Sequence, residues 1–201
     1  MQTKETMMSV KPFAITLDVG TSLANRTGSW RTLKPVYVDR LPPCNAKCPA
    51  GEQCQAWLFH AQSGNYENAW KQIIEDNPFP AVMGRVCYHT CQGACNRNGI
   101  DEPVGINAVE RFLGDYALEK GWQLPVPAAD TGKRILIVGA GPAGLSAAYQ
   151  LRRLGHAVHV VESAEAAGGM MRYGIPKYRL PREVLDQEIA RIAALGVEFE
   201  F

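Results

Sequence analysis

Six cysteines, all in the first half of the chain, restrict what it can fold into more than any other feature. Three fall in Cys44-Asn-Ala-Lys-Cys48-Pro49 and the nearby Cys54. The other three fall in Cys87-Tyr-His-Thr-Cys91-Gln-Gly-Ala-Cys95, and no cysteine follows. A spacing of four puts sulfurs on one face of a helical turn. Two dense segments of this kind can bring four soft thiolates together, which is what a cubane iron–sulfur cluster needs. A Pro directly after a ligating Cys, as in Cys48-Pro49, turns the chain away from the metal. Two other readings compete. An even count suits a disulfide framework, but the opening MQTKETMMSVKPF leads into no long apolar run, so a cytoplasmic location is expected. Zinc suits four Cys from two segments, but its knuckles favour a two-residue gap, and every gap here is three or five.

Around the cysteines the chain divides into four parts. Residues 1–36 are mixed in polarity without periodicity and read as an extended arm anchored by Trp30. Residues 37–122 read as a helical unit. Gln55–Gln62 and Tyr66–Asp76 carry apolar residues at helical spacing and are broken at Ser63-Gly64, and Asn77-Pro78-Phe79-Pro80 stops the second. Ile106–Lys120 shows one apolar stripe. Residues 123–132, QLPVPAADTG, have the composition of a linker. In residues 133–201 the pattern changes: Arg134–Val138 is a continuous apolar run that reads as a buried strand. A Gly-rich turn, a helix over Leu145–Leu154 and a strand over Ala157–Val161 follow. A further helix runs from Pro181 to about Leu195, then a third strand over Val197–Phe201.

The turn reads Gly139-Ala140-Gly141-Pro142-Ala143-Gly144, a G-x-G-x-x-G directly between strand and helix. The first Gly allows the tight turn, the second lets backbone approach a pyrophosphate, and the third lets helix and strand pack closely. The helix N-terminus then faces the diphosphate. Glu162 follows the second strand, 18 residues after Gly144, where a carboxylate accepts from ribose hydroxyls. Spacing alone does not separate FAD from NAD.

Three stretches, VYVDRLPPCNAKCPAGE, NPFPAVMGRVCYHTCQGAC and PVGINAVERFLGD, resemble the N-terminal iron–sulfur domain of the small subunit of NADPH-dependent glutamate synthase, a domain that also opens dihydropyrimidine dehydrogenase. The resemblance implies an all-α, helical ferredoxin-like domain holding two [4Fe–4S] clusters whose ligands interleave between the two Cys segments. It also implies that one ligand is a Gln or Glu on the helix after the last Cys, by position Glu110. A Glu on a helix is otherwise a solvated surface residue. The family's fuller pattern has another Cys pair upstream of Cys44, absent here, and a longer gap between Cys87 and Cys91. Carried over by position, Cys48, Cys87, Cys91 and Glu110 make one complete site. Cys44 and Cys95 belong to a second that lacks two ligands, one of which Cys54 can replace. One cluster is expected and a second is left open.

Gly168-Gly169-Met170-Met171-Arg172-Tyr173-Gly174-Ile175-Pro176 resembles the same family, where this stretch runs beside the flavin. The resemblance makes the dinucleotide FAD and assigns Gly168, Gly169, Arg172, Ile175 and Pro176 to it. Arg172, Tyr173 and Lys177 are otherwise surface residues, and Met170 and Met171 packing residues. In the family a second Rossmann unit for NAD(P)H follows, outside this segment, so the chain is expected to be incomplete and inactive by itself. The fold expected is multidomain: the helical iron–sulfur domain, then the start of an α/β Rossmann-like FAD-binding domain. The function implied is an oxidoreductase subunit passing electrons between NAD(P)H, FAD and iron–sulfur clusters to a partner subunit or acceptor. The alternative is a non-enzymatic iron–sulfur module that tethers a partner oxidoreductase. No catalytic acid, base or nucleophile stands out. A net charge of +1 gives no electrostatic case for nucleic acid, and no apolar run is long enough for a membrane span.

Overall fold

The computed structural model describes residues 41–201. The arm over residues 1–36 and its Trp30 anchor lie outside them. The first helices are short because Pro and Gly punctuate the sequence closely. Helix α1 (Pro43–Lys47) starts on Pro43 and ends at Cys48, which turns to extended backbone. Helix α2 (Cys54–Gln62) stops at Ser63, and Gly64, at φ +73°, reverses the chain into α3 (Tyr66–Ile73). Asn77-Pro78-Phe79-Pro80 does end α3, but Pro80 is also the first residue of a helix the sequence did not announce, α4 (Pro80–Val86). Proline is tolerated there because the N–H it lacks has no helical partner. After α5 (Thr90–Gly93) and a 3₁₀ turn (Asn96–Gly99), α6 (Ile106–Glu119) runs where its apolar stripe predicts.

Helices α4 and α6 cross at two glycines. A Cβ on Gly84 would sit 2.4 Å from the Arg111 Cα, and one on Gly114 would sit 2.3 Å from the Ala81 nitrogen. Arg85 closes the crossing with paired hydrogen bonds to Asp115 at 2.6 and 2.9 Å. Around this pair, Trp57, Ala69, Ile73, Ile106 and Leu113 form a fully buried core.

The second region is a three-stranded parallel sheet in the order β1 (Arg134–Val138), β2 (Ala157–Val161), β3 (Glu198–Glu200). Helix α7 (Pro142–Arg153) connects β1 to β2. The short α8 (Met170–Tyr173) and α9 (Arg182–Ala194) connect β2 to β3. Two successive right-handed crossovers in the same direction place α7 and α9 on one face. That corrects the expectation of a buried β1: Leu136 and Val138, on the opposite face, are 62% and 82% exposed. Their partners Ile135 and Ile137 point toward the helices and are half-buried.

The two regions pack as one body over residues 41–201. Helix α7 terminates α3: the Tyr149 hydroxyl donates to the Ile74 carbonyl at 2.7 Å, and Gln150 and Arg153 both donate to the Glu75 carbonyl. These are carbonyls left without helical partners at the end of α3. Helix α9 serves the other end of the turn, where buried Glu188 accepts the Ala81 N–H of α4 at 2.9 Å. The connecting residues 123–132 lie against this body, with Leu124 buried and the Ala128 N–H donating to the Arg153 carbonyl. No helix among the described residues is long and apolar enough to cross a membrane.

Candidate functional site

Cys48, Cys54, Cys87 and Cys91 line one cavity of about 220 Å³. Each sits at a helix end. Cys48 closes α1, Cys54 opens α2, Cys87 closes α4, and Cys91 lies in the single turn of α5. Helix ends can aim side chains at a shared point without the helices colliding. Cys54 is 1% exposed, and its side chain is in hydrogen-bonding contact with those of Cys48 and Cys91. The neighbouring Cys54 side chain holds Cys48 at about 6 and Cys91 at about 7, while its own proton is held more tightly than usual. Burial raises the Cys87 thiol. The Cys87 sulfur accepts the His89 N–H at 3.4 Å, which His89 achieves in a left-handed conformation at φ +56°.

Cys44 and Cys95 do not line this cavity. Burial raises the Cys44 thiol, and the charge of Cys95 adds to that. The structure thus places Cys54 with Cys48 and Cys91 rather than with Cys44 and Cys95, because the start of α2 is drawn into the core beside Trp57. Among the described residues, no group of three or more His, Cys, Asp or Glu closes on a single metal ion. A cubane cluster needs a different arrangement, with thiolates distributed around a chamber. The four-cysteine cavity offers that donor set.

Glu110 forms part of the cavity wall and is buried, as is Glu52. Both carboxylates accept from the same nitrogen, Asn77 Nδ2, at 2.9 Å each. Asn77 is itself fixed by the Phe79 N–H donating to its Oδ1 at 3.0 Å. Burial, and then the charge of Cys48, push Glu52 up to about 7. Burial, and then the charge of Glu52, push Glu110 well above the usual carboxylate range. Glu52 and Asn77 were not singled out in the sequence. Their only signal was position, between Cys48 and Cys54 and at the end of α3.

The glycine loop takes the form the fingerprint demands. Gly139 has φ +98°, and a Cβ on Gly144 would lie 1.9 Å from the Gly139 carbonyl oxygen. Gly141 precedes α7, and a Cβ there meets nothing closer than the Gly169 Cα at 4.0 Å, so the space in front of the helix is open. Gly169, at φ +47°, approaches Gly141 from the other side, and the Gly168 N–H donates to the Ala140 carbonyl. Glu162 accepts from the Ala164 and Ala140 N–H groups at 2.9 and 2.7 Å, which hold it below the usual carboxylate range. Ala143 lies exposed in the first turn of α7. Arg172 packs beside Gly168. It binds the Ala167 carbonyl and Asp186 of α9, since the turn of α8 carries it toward α9. The Ile175 carbonyl is taken by Arg182, and Pro176 is exposed. Pro142 and Ser146 of α7 also line the cysteine cavity, so one helix borders both sites.

The family described as dihydropyrimidine dehydrogenase domain II, 4Fe-4S cluster, matches residues 38–122, and the NAD(P)-binding Rossmann-like domain matches residues 137–188. The Bacillus subtilis glutamate synthase [NADPH] small chain is 37% identical over 153 residues, 76% of this chain and 31% of that protein. The chain is similar to glutamate synthase small chains. It is also 40% identical over 160 residues to a Salmonella typhi homologue of the NAD-dependent dihydropyrimidine dehydrogenase subunit PreT, covering 79% of this chain and 39% of that one. To the NADP(+)-dependent formate dehydrogenase subunit beta of Moorella thermoacetica it is 39% identical over 178 residues, 77% of this chain and 25% of that one. The chain spans less than two fifths of the length of each of these relatives. It carries a 4Fe-4S-type domain followed by an NAD(P)-binding Rossmann-like segment.

Proposed function

We propose that this chain is the cluster-bearing and dinucleotide-bearing part of an electron-transfer oxidoreductase. A [4Fe–4S] cluster is held in the cysteine cavity and FAD at the Gly139–Gly144 loop. The carrying observation is that α7 borders both sites, through its Gly141 end and through Pro142 and Ser146 in the cavity wall. When bound, the flavin exchanges hydride with NAD(P)H and the cluster accepts single electrons, chemistry that belongs to the cofactors. The chain's own residues position them. The free N–H groups at the start of α7 hold the diphosphate, and the carboxylate of Glu162 receives the ribose hydroxyls. Met83, Ile106 and Pro142 supply apolar wall beside the cysteines. NAD(P)H binding beyond this segment and delivery to a partner subunit or acceptor complete the reading, and the printed names of the relatives, several of them subunits, support it.

Gly141→Val tests the dinucleotide assignment. A side chain there enters open space rather than the protein, so the variant folds, but it fills the place of the diphosphate. Flavin content should fall severalfold while iron is unchanged. Flavin content equal to the parent's would refute the FAD site.

A further inference from the structure

We infer that Glu188, on α9 of the α/β region, is a positioning residue of the cluster site: it caps α4 across the joint and so fixes where Cys87 presents its sulfur. The assignment rests on the cluster reading above and deepens it. The buried stripe of α9 runs through Leu185, Glu188 and Ile192 at helical spacing. A carboxyl thus occupies the middle of an otherwise apolar stripe. There it is fully buried, its Oε2 has no hydrogen-bond partner, and Arg191 lies 3.6 Å away. An ion pair so placed does little for stability, since apolar side chains of similar volume are often neutral or better. What an apolar side chain lacks is an acceptor, and Glu188 Oε1 accepts the Ala81 N–H at 2.9 Å.

That N–H belongs to the second residue of α4 and is among the donors that a helix start leaves free. Phe79, before the helix, has no side-chain oxygen to cap it, and Pro80 has no N–H. The acceptor comes instead from 107 residues away, in the other region. Helix α4 has seven residues, too few to hold together without such anchors. Phe79, Met83 and Cys87, spaced four apart, place one face of it along the cysteine cavity. Gly114 packs against the Ala81 nitrogen from α6, and Glu188 takes its proton from α9. With both in place the start of α4 is fixed, and a helix this short carries that placement to Cys87.

The variants Glu188→Gln, Glu188→Met and Glu188→Asp separate reach from charge. Gln keeps an acceptor at the same reach. Met keeps the length but offers the N–H no comparable acceptor. Asp keeps the charge but is shorter by one methylene. Gln and Met both leave Arg191 without its carboxylate, so their difference is read at Ala81. The full chain is purified without oxygen for each. Iron, acid-labile sulfide, the electron paramagnetic resonance spectrum after dithionite reduction and the rate of iron loss to a ferrous chelator are measured. The parent is read first, and absence of iron and sulfide there defeats the cluster reading itself. With the cluster present, Glu188→Gln should keep the parental line shape, and Glu188→Met should alter it and lose iron severalfold faster. A residue that only stabilises the joint would move the thermal midpoint and leave the line shape alone. A parental line shape in Glu188→Met overturns the assignment, as does an altered one in Glu188→Gln. Should Glu188→Met fail to fold, Glu188→Asp takes its place: an altered line shape supports the assignment and a parental one refutes it.

Discussion

His89 is the one non-glycine residue among those described with positive φ, at +56°, and its N–H reaches the Cys87 sulfur at 3.4 Å. A left-handed residue costs about 1–2 kcal/mol for an ordinary side chain. The conformation persists because the turn after α4 has to deliver Cys87 and Cys91 to one cavity. A β-branched side chain raises that cost, and glycine removes it. His89→Val should therefore lower stability by about 1–2 kcal/mol, whereas His89→Gly should be close to neutral, since relief of strain offsets the added freedom of the unfolded chain. Thermal unfolding of the anaerobic protein checks this. Equal destabilisation by both variants would assign His89 a side-chain role instead. At this scale the cysteines were legible in the sequence, since clustering alone picks them out. Glu52 and Asn77 were not: Asn77 meets its carboxylates across 25 and 33 residues, and no local pattern records such a contact. The pairing of Arg172 with Asp186 of α9 spans 14 residues and was likewise not legible from the motif.

Among the elements, the α4–α6 crossing is the tightest joint. Gly114→Ala places a methyl 2.3 Å from the Ala81 nitrogen, against backbone that cannot rotate away. Overpacking of this kind costs about 1–3 kcal/mol. The helices separate, and because Cys87 closes α4, cluster retention should fall with stability. Iron content and thermal midpoint of Gly114→Ala together check this, and a fully loaded variant of parental stability would contradict it. Helices α2, α3, α6 and α9 and all three strands lie close to where periodicity and breakers predict them. Helix α4 was hidden because Asn77-Pro78-Phe79-Pro80 reads as a stop, whereas Pro80 both follows one helix and begins the next. The apolar run of β1 predicts burial on both faces, but whether a face is covered depends on what packs there, and here helices cover one side only.

For the whole molecule, the joint between the helical and α/β regions contains a buried, poorly satisfied ion pair. Glu188 is fully buried and bonds the Ala81 N–H, while Arg191 lies 3.6 Å from it and over the Trp70 ring at 5.3 Å. Glu188 Oε2 and both terminal nitrogens of Arg191 have no hydrogen-bond partner. Burial outweighs the attraction of Arg191 and pushes Glu188 up to about 7. A carboxyl whose folded pKa is raised holds its proton longer folded than unfolded. Its cost is absent below about pH 4.5, grows as pH rises to about 7, and is constant above; across that window the loss is on the order of 3 kcal/mol. Glu188→Gln keeps an acceptor for Ala81 and has no charge to bury. It should flatten the fall in stability between pH 4.5 and 7 and be at least as stable as the parent at pH 8. A parallel pH profile in the two proteins would show that Glu188 is ionised in the fold.

The central claim is that one compact body carries an iron–sulfur cluster and a flavin on either side of α7. The most direct measurement is a visible absorption spectrum of the anaerobically purified protein with iron, sulfide, zinc and flavin quantified on the same sample. The account predicts iron and sulfide in equal amounts, bound FAD, and bleaching of both chromophores on reduction. Stoichiometric zinc without sulfide, in a colourless protein, would contradict it.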